Sequence, residues 1–290
     1  MHRAKIALIL ALAASAASAA TFSGAKAYAY TREAVADGPR PSGSAAIRRL
    51  QQQIVTDLKP SGCQVTLDDF RATTPAGPIA MRNILCKFPG KSGRAIVITG
   101  HYDTKRLPNF VGANDAGSST GFLLELAQAL HGSPRVDDVI LVFFDGEEAV
   151  KDWTDTDSLY GSRHLEETWL NSGMLAKVKA LINIDMIGDK DLDILKDGNS
   201  DRRLRDLVWE TANQLGYAAH FRSELSGIED DHVPFVRAGV AALDLIDFTY
   251  GPNQAFWHTP QDTMDKLSPN SFEIVGAVVM SVIRKLEELP

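Results

Sequence analysis

Short apolar runs alternate with stretches of helical periodicity along most of the chain. The clearest run, Val139–Phe144, is rich in β-branched and aromatic residues, as is typical of a strand that is buried on both faces. Similar runs predict strands over Ala95–Gly100, Lys179–Ile187 and Val240–Ile246. Strands that alternate with helices favour an α/β fold, a single-domain three-layer sandwich with a mostly parallel central sheet.

The segments between these strands are predicted to be helical. Apolar residues recur at helical spacing over Ala45–Leu58. The segment Gly112–Ser119 opens a helix that continues to Leu130. Further helices are predicted near Arg32–Ala36, over Glu166–Leu175, over Asp201–Leu215, from Ile228–His232 to Gly239, and over Pro269–Leu289.

The first residues have a different pattern. Arg3 and Lys5 precede the apolar run Ile6–Ala13, and Ala17–Ala19 offers a small-residue cleavage site. This pattern predicts a signal peptide over residues 1–19, leaving residues 20–290 as the folded domain of an exported protein, periplasmic or extracellular. No cysteine lies near the cut and no later segment resembles a transmembrane helix, so we expect no membrane anchor.

Two further strands, Gln64–Phe70 and Ile79–Phe88, predict an antiparallel hairpin at one edge of the sheet. The turn-rich segment Thr73–Pro78 separates them. Simple pairing of the two strands would place Cys63 roughly opposite Cys86, close enough to bridge. Because an exported protein meets an oxidising compartment, we predict a disulfide, with two buried free thiols as the alternative.

Charge narrows the range of partners. The formal net charge is −7, and the predicted signal peptide carries basic residues but no acidic ones, so the remaining chain is more acidic still. No basic stripe is present that could hold nucleic acid or anionic lipid. We therefore expect the partner of a monomeric chain to be a small molecule or a peptide.

Polar residues collect at or just beyond the predicted strand ends, where open α/β sheets handle ligands. They are His101, Asp103, Asp115, Glu147, Glu148, Asp185, Asp230 and His258. One imidazole and two carboxylates suit Zn²⁺, and three protein ligands leave a fourth position open for catalysis. Carboxylates that crowd together shift each other's pKa values towards acid–base duty.

Each of these residues also has a simpler interpretation. Glu147 and Glu148 could form a solvated acidic turn, and Asp115 could be no more than the N-cap of its helix. His258 could be an ordinary loop histidine. Asp185, inside an apolar strand, needs a partner if it is buried.

Eight blocks carry a resemblance to a known family. Five look like the blocks of zinc-dependent aminopeptidases, in the same order: GHYDT (100–104), GANDAGSS (112–119), FFDGEEA (143–149), NIDMIG (183–188) and WHTPQD (257–262). Three more are similar to glutaminyl-peptide cyclotransferases of the animal type: Trp153, DSLYGSRHL (157–165) and IEDDHVPF (228–235). The resemblance extends from about Arg32 to the C-terminus.

The resemblance implies a role for each site residue. It makes Asp115, Glu148 and His258 the ligands of one Zn²⁺ per chain. It makes Glu147 the general acid/base, with Asp185 and Asp230 as a hydrogen-bonded carboxylate pair beside it. The residues implied to line the substrate pocket are Trp153, Ile228 and Trp257. It also implies a cis peptide bond between Asp115 and Ala116.

The expected activity is cyclisation of an N-terminal glutamine of peptides or proteins to pyroglutamate, with release of ammonia. The alternative is an exported zinc aminopeptidase, in which His101 and Asp185 would bind a second metal bridged by Asp115. We expect the Asp230 carboxylate to hydrogen-bond towards Asp185 and leave that second site empty. A binding domain that has lost its site should lack a ligand, and none is missing here.

Two departures from the family pattern stand out. The vertebrate cyclases have a cysteine pair flanking the block that holds His101 here, whereas this chain has its cysteines in the hairpin. The segment Phe248–Phe256 reads FTYGPNQAF and lacks the family's Pro-Phe-Pro pattern. We therefore make no prediction for the wall of the pocket before Trp257.

Overall fold

The computed structural model describes residues 21–289, which contain eight β-strands and seven α-helices. The strands are β1 Gln64–Thr74, β2 Gly77–Phe88, β3 Ala95–His101, β4 Asp138–Phe144, β5 Val178–Asp185, β6 Ile194–Asp197, β7 Phe221–Ser226 and β8 Ala242–Ile246. The helices are α1 Gly24–Ala34, α2 Ala45–Leu58, α3 Gly117–Ala129, α4 Tyr160–Ser172, α5 Arg202–Gln214, α6 Val233–Arg237 and α7 Pro269–Glu288. The predicted signal peptide, residues 1–19, lies outside the described residues.

Six strands form the central sheet in the order β1-β2-β4-β3-β5-β8. The three pairs among β4, β3, β5 and β8 are parallel, while β1–β2 and β2–β4 are antiparallel. The predicted α/β fold, with a mostly parallel sheet and a hairpin at its edge, is confirmed. The carboxyl ends of the four parallel strands therefore meet at one edge of the sheet, which is where the predicted site residues lie.

Helices cover both faces of this sheet. Side chains of β4 alternate between the faces: Leu141 and Phe143 join a large apolar core with α1, α2, α3, α5 and α7. Ile140 and Phe144 face the other way, into a second core with α4 and α6. Because both faces are packed, β4 is apolar throughout, as its sequence predicted.

The hairpin of β1 and β2 has a tighter turn than the sequence predicted, and its register differs by two residues. The strands pair Thr74 with Gly77 at the turn and Val65 with Cys86 near the open end. Cys63 therefore lies diagonally from Cys86 rather than opposite it. The predicted disulfide is confirmed, with the two Cα atoms 5.4 Å apart, because Cys63 precedes the strand and can lean across.

Four elements differ most from the sequence prediction. The first helix, Gly24–Ala34, begins well before the predicted segment, because Ser23 caps it and accepts from Lys26 N. Helix α4 begins at Tyr160 rather than Glu166. Strands β6 and β7 were not predicted; they form a separate two-stranded parallel sheet beside β8.

Among residues 21–289, no helix is both long enough and apolar enough to cross a membrane.

Candidate active site

The strand ends bring separate chain segments to one place. His101 ends β3 and Asp185 ends β5, so both project at the carboxyl edge of the sheet. Glu147 and Glu148 lie in the turn after β4, beyond Gly146, which adopts a left-handed φ of 75°. His258 lies in the long loop after β8, also with a left-handed φ, 53°. A non-glycine residue in that region is held there by its surroundings and is common at functional sites.

Asp115, Glu148 and His258 converge at one point of the site. His258 Nε2 lies 3.2 Å from Asp115 Oδ2 and 3.1 Å from Glu148 Oε1. Trp257 stacks on the His258 imidazole at 4.0 Å between ring centroids, and Phe110 meets it edge-on at 5.7 Å. The ring of His258 is thus held between aromatic walls with Nε2 directed at the two carboxylates.

Two of the simpler interpretations, the helix cap and the solvated turn, are wrong. Helix α3 takes Ala116 as its N-cap without any side-chain bond, so Asp115 does not cap it. Glu147 and Glu148 are buried, at 7% and 5% exposure, and do not form a solvated turn. The predicted cis peptide bond between Asp115 and Ala116 is present.

A second group of potential ligands adjoins the first and shares Asp115. His101 Nε2 lies 3.4 Å from Asp115 Oδ1 and 3.2 Å from Asp185 Oδ1. Its other nitrogen, Nδ1, faces Asp103 Oδ1 at 3.5 Å and Glu147 Oε2 at 3.9 Å. The two oxygens of Asp115 therefore point to two different histidines, as a bridging carboxylate would.

The donor atoms fit a zinc ion. In each group, the ligand atoms lie within 4.8 Å of one another. Nitrogen and oxygen ligands bind Zn²⁺ at about 2.0–2.2 Å, so two ligands of a tetrahedral site lie roughly 3.4 Å apart. The observed separations of 3.1 and 3.2 Å from His258 Nε2 agree with that spacing. The chemistry and the spacing of Asp115, Glu148 and His258 thus suit Zn²⁺, as do those of His101, Asp115 and Asp185.

The charges of the ligand group favour ionised carboxylates. Burial opposes ionisation of Asp115, but hydrogen bonds from His101 and His258 lower its pKa below the usual value. Burial likewise lowers the pKa of His258, yet Asp115 and Glu148 raise it to about 9. A carboxylate pair that draws a positive charge to His258 is an electrostatic environment that also attracts a cation.

Glu147 occupies a different position from its neighbour. Its backbone N–H donates to Asp103 Oδ1 at 3.1 Å, which fixes the turn, and its carboxylate faces His101 rather than His258. Burial raises the pKa of Glu147 well above its usual value, and the negative charges of Glu148 and Asp230 add to this, against the opposing effect of His101. A carboxyl group with a raised pKa can both accept and return a proton near neutral pH.

Asp185 and Asp230 lie beside Glu147, but the hydrogen bond expected between them is absent. Asp185 Oδ1 lies near His101, and Asp230 Oδ1 accepts from the backbone N–H of Asp231. Among the described residues, Asp230 Oδ2 has no hydrogen-bond partner. Burial and the charge of Asp185 raise the pKa of Asp230 to about 6, so the two carboxyl groups influence each other's ionisation without a hydrogen bond between them.

One cavity of about 570 Å³ joins these groups. Its lining includes every residue that the family resemblance assigned a role in the one-zinc site: Asp115, Glu147, Glu148, Trp153, Asp185, Ile228, Asp230, Trp257 and His258. Phe248, for whose segment we made no prediction, also lines it and meets Trp257 edge-on at 4.9 Å between ring centroids. That wall is therefore aromatic, despite the missing Pro-Phe-Pro pattern.

Sequence reasoning assigned no role to several charged residues of the cavity, and Lys105 is the one that contacts a proposed ligand. The ammonium of Lys105 lies 3.2 Å from Glu148 Oε2, the oxygen that does not face His258. Lys105 directly follows the GHYDT block just beyond β3, and that position was the available signal. Its contact leaves Glu148 with one oxygen directed at the ligand group.

Two buried polar residues hold the ligand segments together. Asp262 accepts from the backbone N–H groups of Asn114 and Asp115, at 2.8 and 3.1 Å, and from the Tyr250 hydroxyl at 2.7 Å. It thereby connects the loop of His258 to the backbone of Asp115. Arg40, 1% exposed, donates to backbone carbonyls of the loop that precedes Asp115.

Comparison with known proteins identifies a matching family, similar relatives and similar solved structures. Residues 83–283 match peptidase family M28. The chain is 33% identical over 261 residues to the glutaminyl-peptide cyclotransferase-like protein of Mus musculus, covering 80% of this chain and 67% of the relative. Among solved structures it is similar to the glutaminyl cyclase of an Acidobacteriales bacterium, with 41% identity, a TM-score of 0.90 and coverage of 96% and 99% of the two chains. It is also similar to a Zn-dependent exopeptidase of Parabacteroides distasonis, with 26% identity, a TM-score of 0.81 and coverage of 92% and 99%.

Proposed function

The chain belongs to peptidase family M28 and, within it, to the glutaminyl-peptide cyclotransferases, and we propose that it cyclises the N-terminal glutamine of peptides or proteins to pyroglutamate. The observation that carries the proposal is the arrangement around Glu147. A buried carboxyl group with a raised pKa adjoins, but does not belong to, a zinc-type ligand group at the base of an aromatic-walled cavity. This arrangement provides a proton carrier separate from the metal ligands.

The residues that would hold the zinc ion are Asp115, Glu148 and His258. When bound there, Zn²⁺ supplies Lewis-acid polarisation of the glutamine γ-carbonyl. Lys105 and Trp257 fix the orientations of Glu148 and His258 before any metal binds. We propose one such ion per chain.

The reaction is an intramolecular acyl transfer. The α-amine of the peptide attacks its own γ-carbonyl carbon, a C–N bond forms, and the bond from that carbon to the amide nitrogen breaks. Glu147 takes the proton from the attacking amine and returns it to the departing nitrogen, which leaves as ammonia. No nucleophile from the protein is required, so the remaining residues contribute by holding the folded conformer of the glutamine.

The surroundings of Glu147 suit this cycle. Burial and the charges of Glu148 and Asp230 raise the cost of ionising Glu147, so a proton on Glu147 is stabilised after it has been accepted. The indoles of Trp153 and Trp257 and the side chain of Ile228 provide the apolar walls against which the glutamine side chain would pack. Because apolar walls exclude water, the polar interactions beside them become stronger.

A pair of substitutions tests these assignments. Glu147→Gln is isosteric and should keep zinc and fold, but the amide cannot accept the proton of the amine, so kcat should fall by at least about 100-fold. Glu148→Gln should instead lose zinc, because a neutral amide is a poor ligand for the ion. Metal analysis and ammonia release would be measured on both. Zinc lost in the Glu147 variant and retained in the Glu148 variant would reverse the two roles.

A second candidate function is that of a zinc aminopeptidase with two metals. The specific observation in its favour is the second ligand group, His101, Asp115 and Asp185, which has the same spacing as the first. Incubation with a Gln-initiated and a Leu-initiated peptide separates the two. Ammonia from the first peptide without cleavage of the second supports the cyclase, whereas cleavage of the second, together with two tightly bound zinc ions per chain, supports the peptidase.

We further propose that the protein is exported, on the basis of the signal-peptide pattern at residues 1–19 and the disulfide between Cys63 and Cys86. Fractionation of the producing cells should recover the protein outside the cytoplasm, shortened at its N-terminus. Full-length protein in the cytoplasmic fraction would contradict this.

A further inference from the structure

A second cavity, of about 420 Å³, adjoins the candidate active site on the side of helices α4 and α6. Two chain segments pass from one cavity to the other. Lys151–Trp153 line the active site, and Asp155, Ser158 and Leu159 line the second cavity. On the opposite side, Gly227–Asp230 line the active site, and Pro234–Ala238 contribute to the second. Glu229 lines both cavities.

The segment between the cavities is preformed. The buried carboxylate of Asp157 accepts from the backbone N–H groups of Val150, Lys151 and Asp152 at 2.8, 2.9 and 3.0 Å, and from the Tyr160 hydroxyl at 2.7 Å. Four charge-assisted or hydroxyl hydrogen bonds to one buried carboxylate make this a rigid wall. It needs no rearrangement before a ligand can lie along it.

The opposite boundary is held by an ion pair. Arg237 Nη2 lies 2.8 Å from Glu229 Oε1, so the Glu229 side chain is directed along the boundary towards α6. Both side chains are exposed, so the pair lies at the surface of the protein. Glu229 and Trp153 both line the active-site cavity, and Glu229 continues into the lining of the second cavity.

The second cavity offers apolar contacts. Leu159 and Pro234 are buried at its base, while Leu170 on α4 is 59% exposed, one of the most exposed large apolar side chains among residues 21–289. Charged side chains of both signs also line it, but Arg163 donates to the Ser158 carbonyl and Arg237 pairs with Glu229, so both guanidinium groups are already engaged. An apolar, uncharged side chain is therefore the group that fits.

We propose that the second cavity binds an apolar side chain of the substrate, located a few residues after the N-terminal glutamine. This inference rests on the proposed cyclase function, which places the glutamine in the first cavity with the rest of the peptide leading out of it. An extended chain spans about 3.3–3.6 Å per residue, so two to four residues reach roughly 7–14 Å beyond the glutamine. The third, fourth or fifth residue of the peptide is then the one held by Leu159, Leu170 and Pro234.

The test is a positional scan. The substrates are Gln-Gly-amide, the all-glycine pentapeptide amide Gln-Gly-Gly-Gly-Gly, and four versions with one Leu at position two, three, four or five. One version with Leu at position three, four or five should show kcat/KM about tenfold above the all-glycine peptide. No gain at any position, or a gain at position two alone, overturns the inference.

Substitutions in the full chain locate the effect. Leu170→Glu should abolish the gain while leaving kcat/KM for Gln-Gly-amide unchanged, and Ala238→Glu across the cavity should act in the same way. Leu215→Glu, on an apolar side chain that is 42% exposed elsewhere, is the matched control and should keep the gain. A gain that survives both cavity substitutions overturns the inference.

Two further outcomes are distinguishable. If the unmodified protein does not cyclise Gln-Gly-amide, the proposed function fails and the inference fails with it; if the short substrate reacts but the scan is flat, only the inference fails. Sedimentation analysis of the unmodified protein and of Leu170→Glu tests whether a second copy of the chain, rather than a substrate side chain, occupies the second cavity. A dimer that this substitution dissociates would assign the face to a second copy of the chain and overturn the inference.

Discussion

Arg40 provides the sharpest test of how the site is held in place. Its guanidinium is fully buried and donates to three backbone carbonyls: Nε to Tyr102 at 3.0 Å, Nη1 to Val111 at 2.6 Å and Nη2 to Gly112 at 3.0 Å. These carbonyls lie at the two ends of the loop that runs from β3 to Asp115. Arg40 therefore closes this loop and fixes the approach to a proposed zinc ligand.

The cost of removing the guanidinium follows from these contacts. Arg40→Met keeps the length of the side chain but leaves three carbonyls, two buried and one partly buried, without their donor, at about 1–3 kcal/mol each if none is rehydrated. It also removes a cation next to the carboxylates of Asp103, Asp115 and Asp262, which contribute to keeping the Arg40 pKa at about 10 despite burial. Partial hydration of the opened loop offsets some of this, so we expect a loss of about 3–5 kcal/mol.

Equilibrium unfolding in urea measures the loss, and a zinc competition assay measures the effect on the site. Arg49→Met is the matched control, since Arg49 forms an ion pair with Asp37 in which both side chains are more than half exposed. Its removal should cost at most about 1 kcal/mol. If Arg40→Met were no more destabilising than Arg49→Met, the buried bonds would not be what holds the loop, and the reasoning would be refuted.

The remaining predictions concern the disulfide, the support of the ligands and the dependence on pH. Cys63→Ser should lower the free energy of unfolding by about 3 kcal/mol, because the bond closes a loop across 23 positions; an equal unfolding midpoint for the variant and the unmodified protein would contradict this. Asp262→Asn should weaken zinc binding about 10- to 100-fold in a chelator competition assay, because an amide cannot accept from both backbone N–H groups and from Tyr250 as a carboxylate does; unchanged affinity would remove Asp262 from the support of the site. Burial raises the pKa of Asp145 to about 7, so the folded state binds this proton more tightly than the unfolded state. The resulting stabilisation is complete below pH 4 and is lost as pH rises through 7, so Asp145→Asn should gain stability relative to the unmodified protein between pH 5 and 8 in denaturation curves, and a constant difference would count against it.

The elements of the fold that the sequence predicted correctly share one property, which is that burial dictates their composition. β4 is apolar throughout because both of its faces are packed, and α2 shows its apolar stripe because one face meets the sheet. β6 and β7 were missed because each contributes only one buried apolar residue to the main core, Ile194 and Phe221, and β7 is otherwise mostly exposed. Where few side chains of a strand are packed, its amino-acid composition gives little indication that it is a strand.

The location of the site was predictable from the topology of the sheet. Parallel strands bring their carboxyl ends together, so polar residues at those ends must meet regardless of their separation in sequence. The contacts among them were not predictable. Whether Asp230 hydrogen-bonds to Asp185 depends on which carboxyl group carries a proton, and that is decided by burial and by His101, not by the spacing of residues.

So many buried acidic groups in one place require a cation among them to offset their charge. Asp115, Glu147, Glu148 and Asp185 are all at least nine-tenths buried, and each would individually destabilise the fold if left ionised without a partner. The chain offsets part of this cost with His101, His258 and Lys105, all of which contact those carboxylates. Asp115 faces both histidines, so a metal ion bound by Asp115 and His258 would weaken the attraction between Asp115 and His101. The two ligand groups therefore cannot be filled independently. The number of metal ions is thus set by how His101 and Asp185 share Asp115 with the first site, and the carboxyl group of Glu147 faces that same histidine.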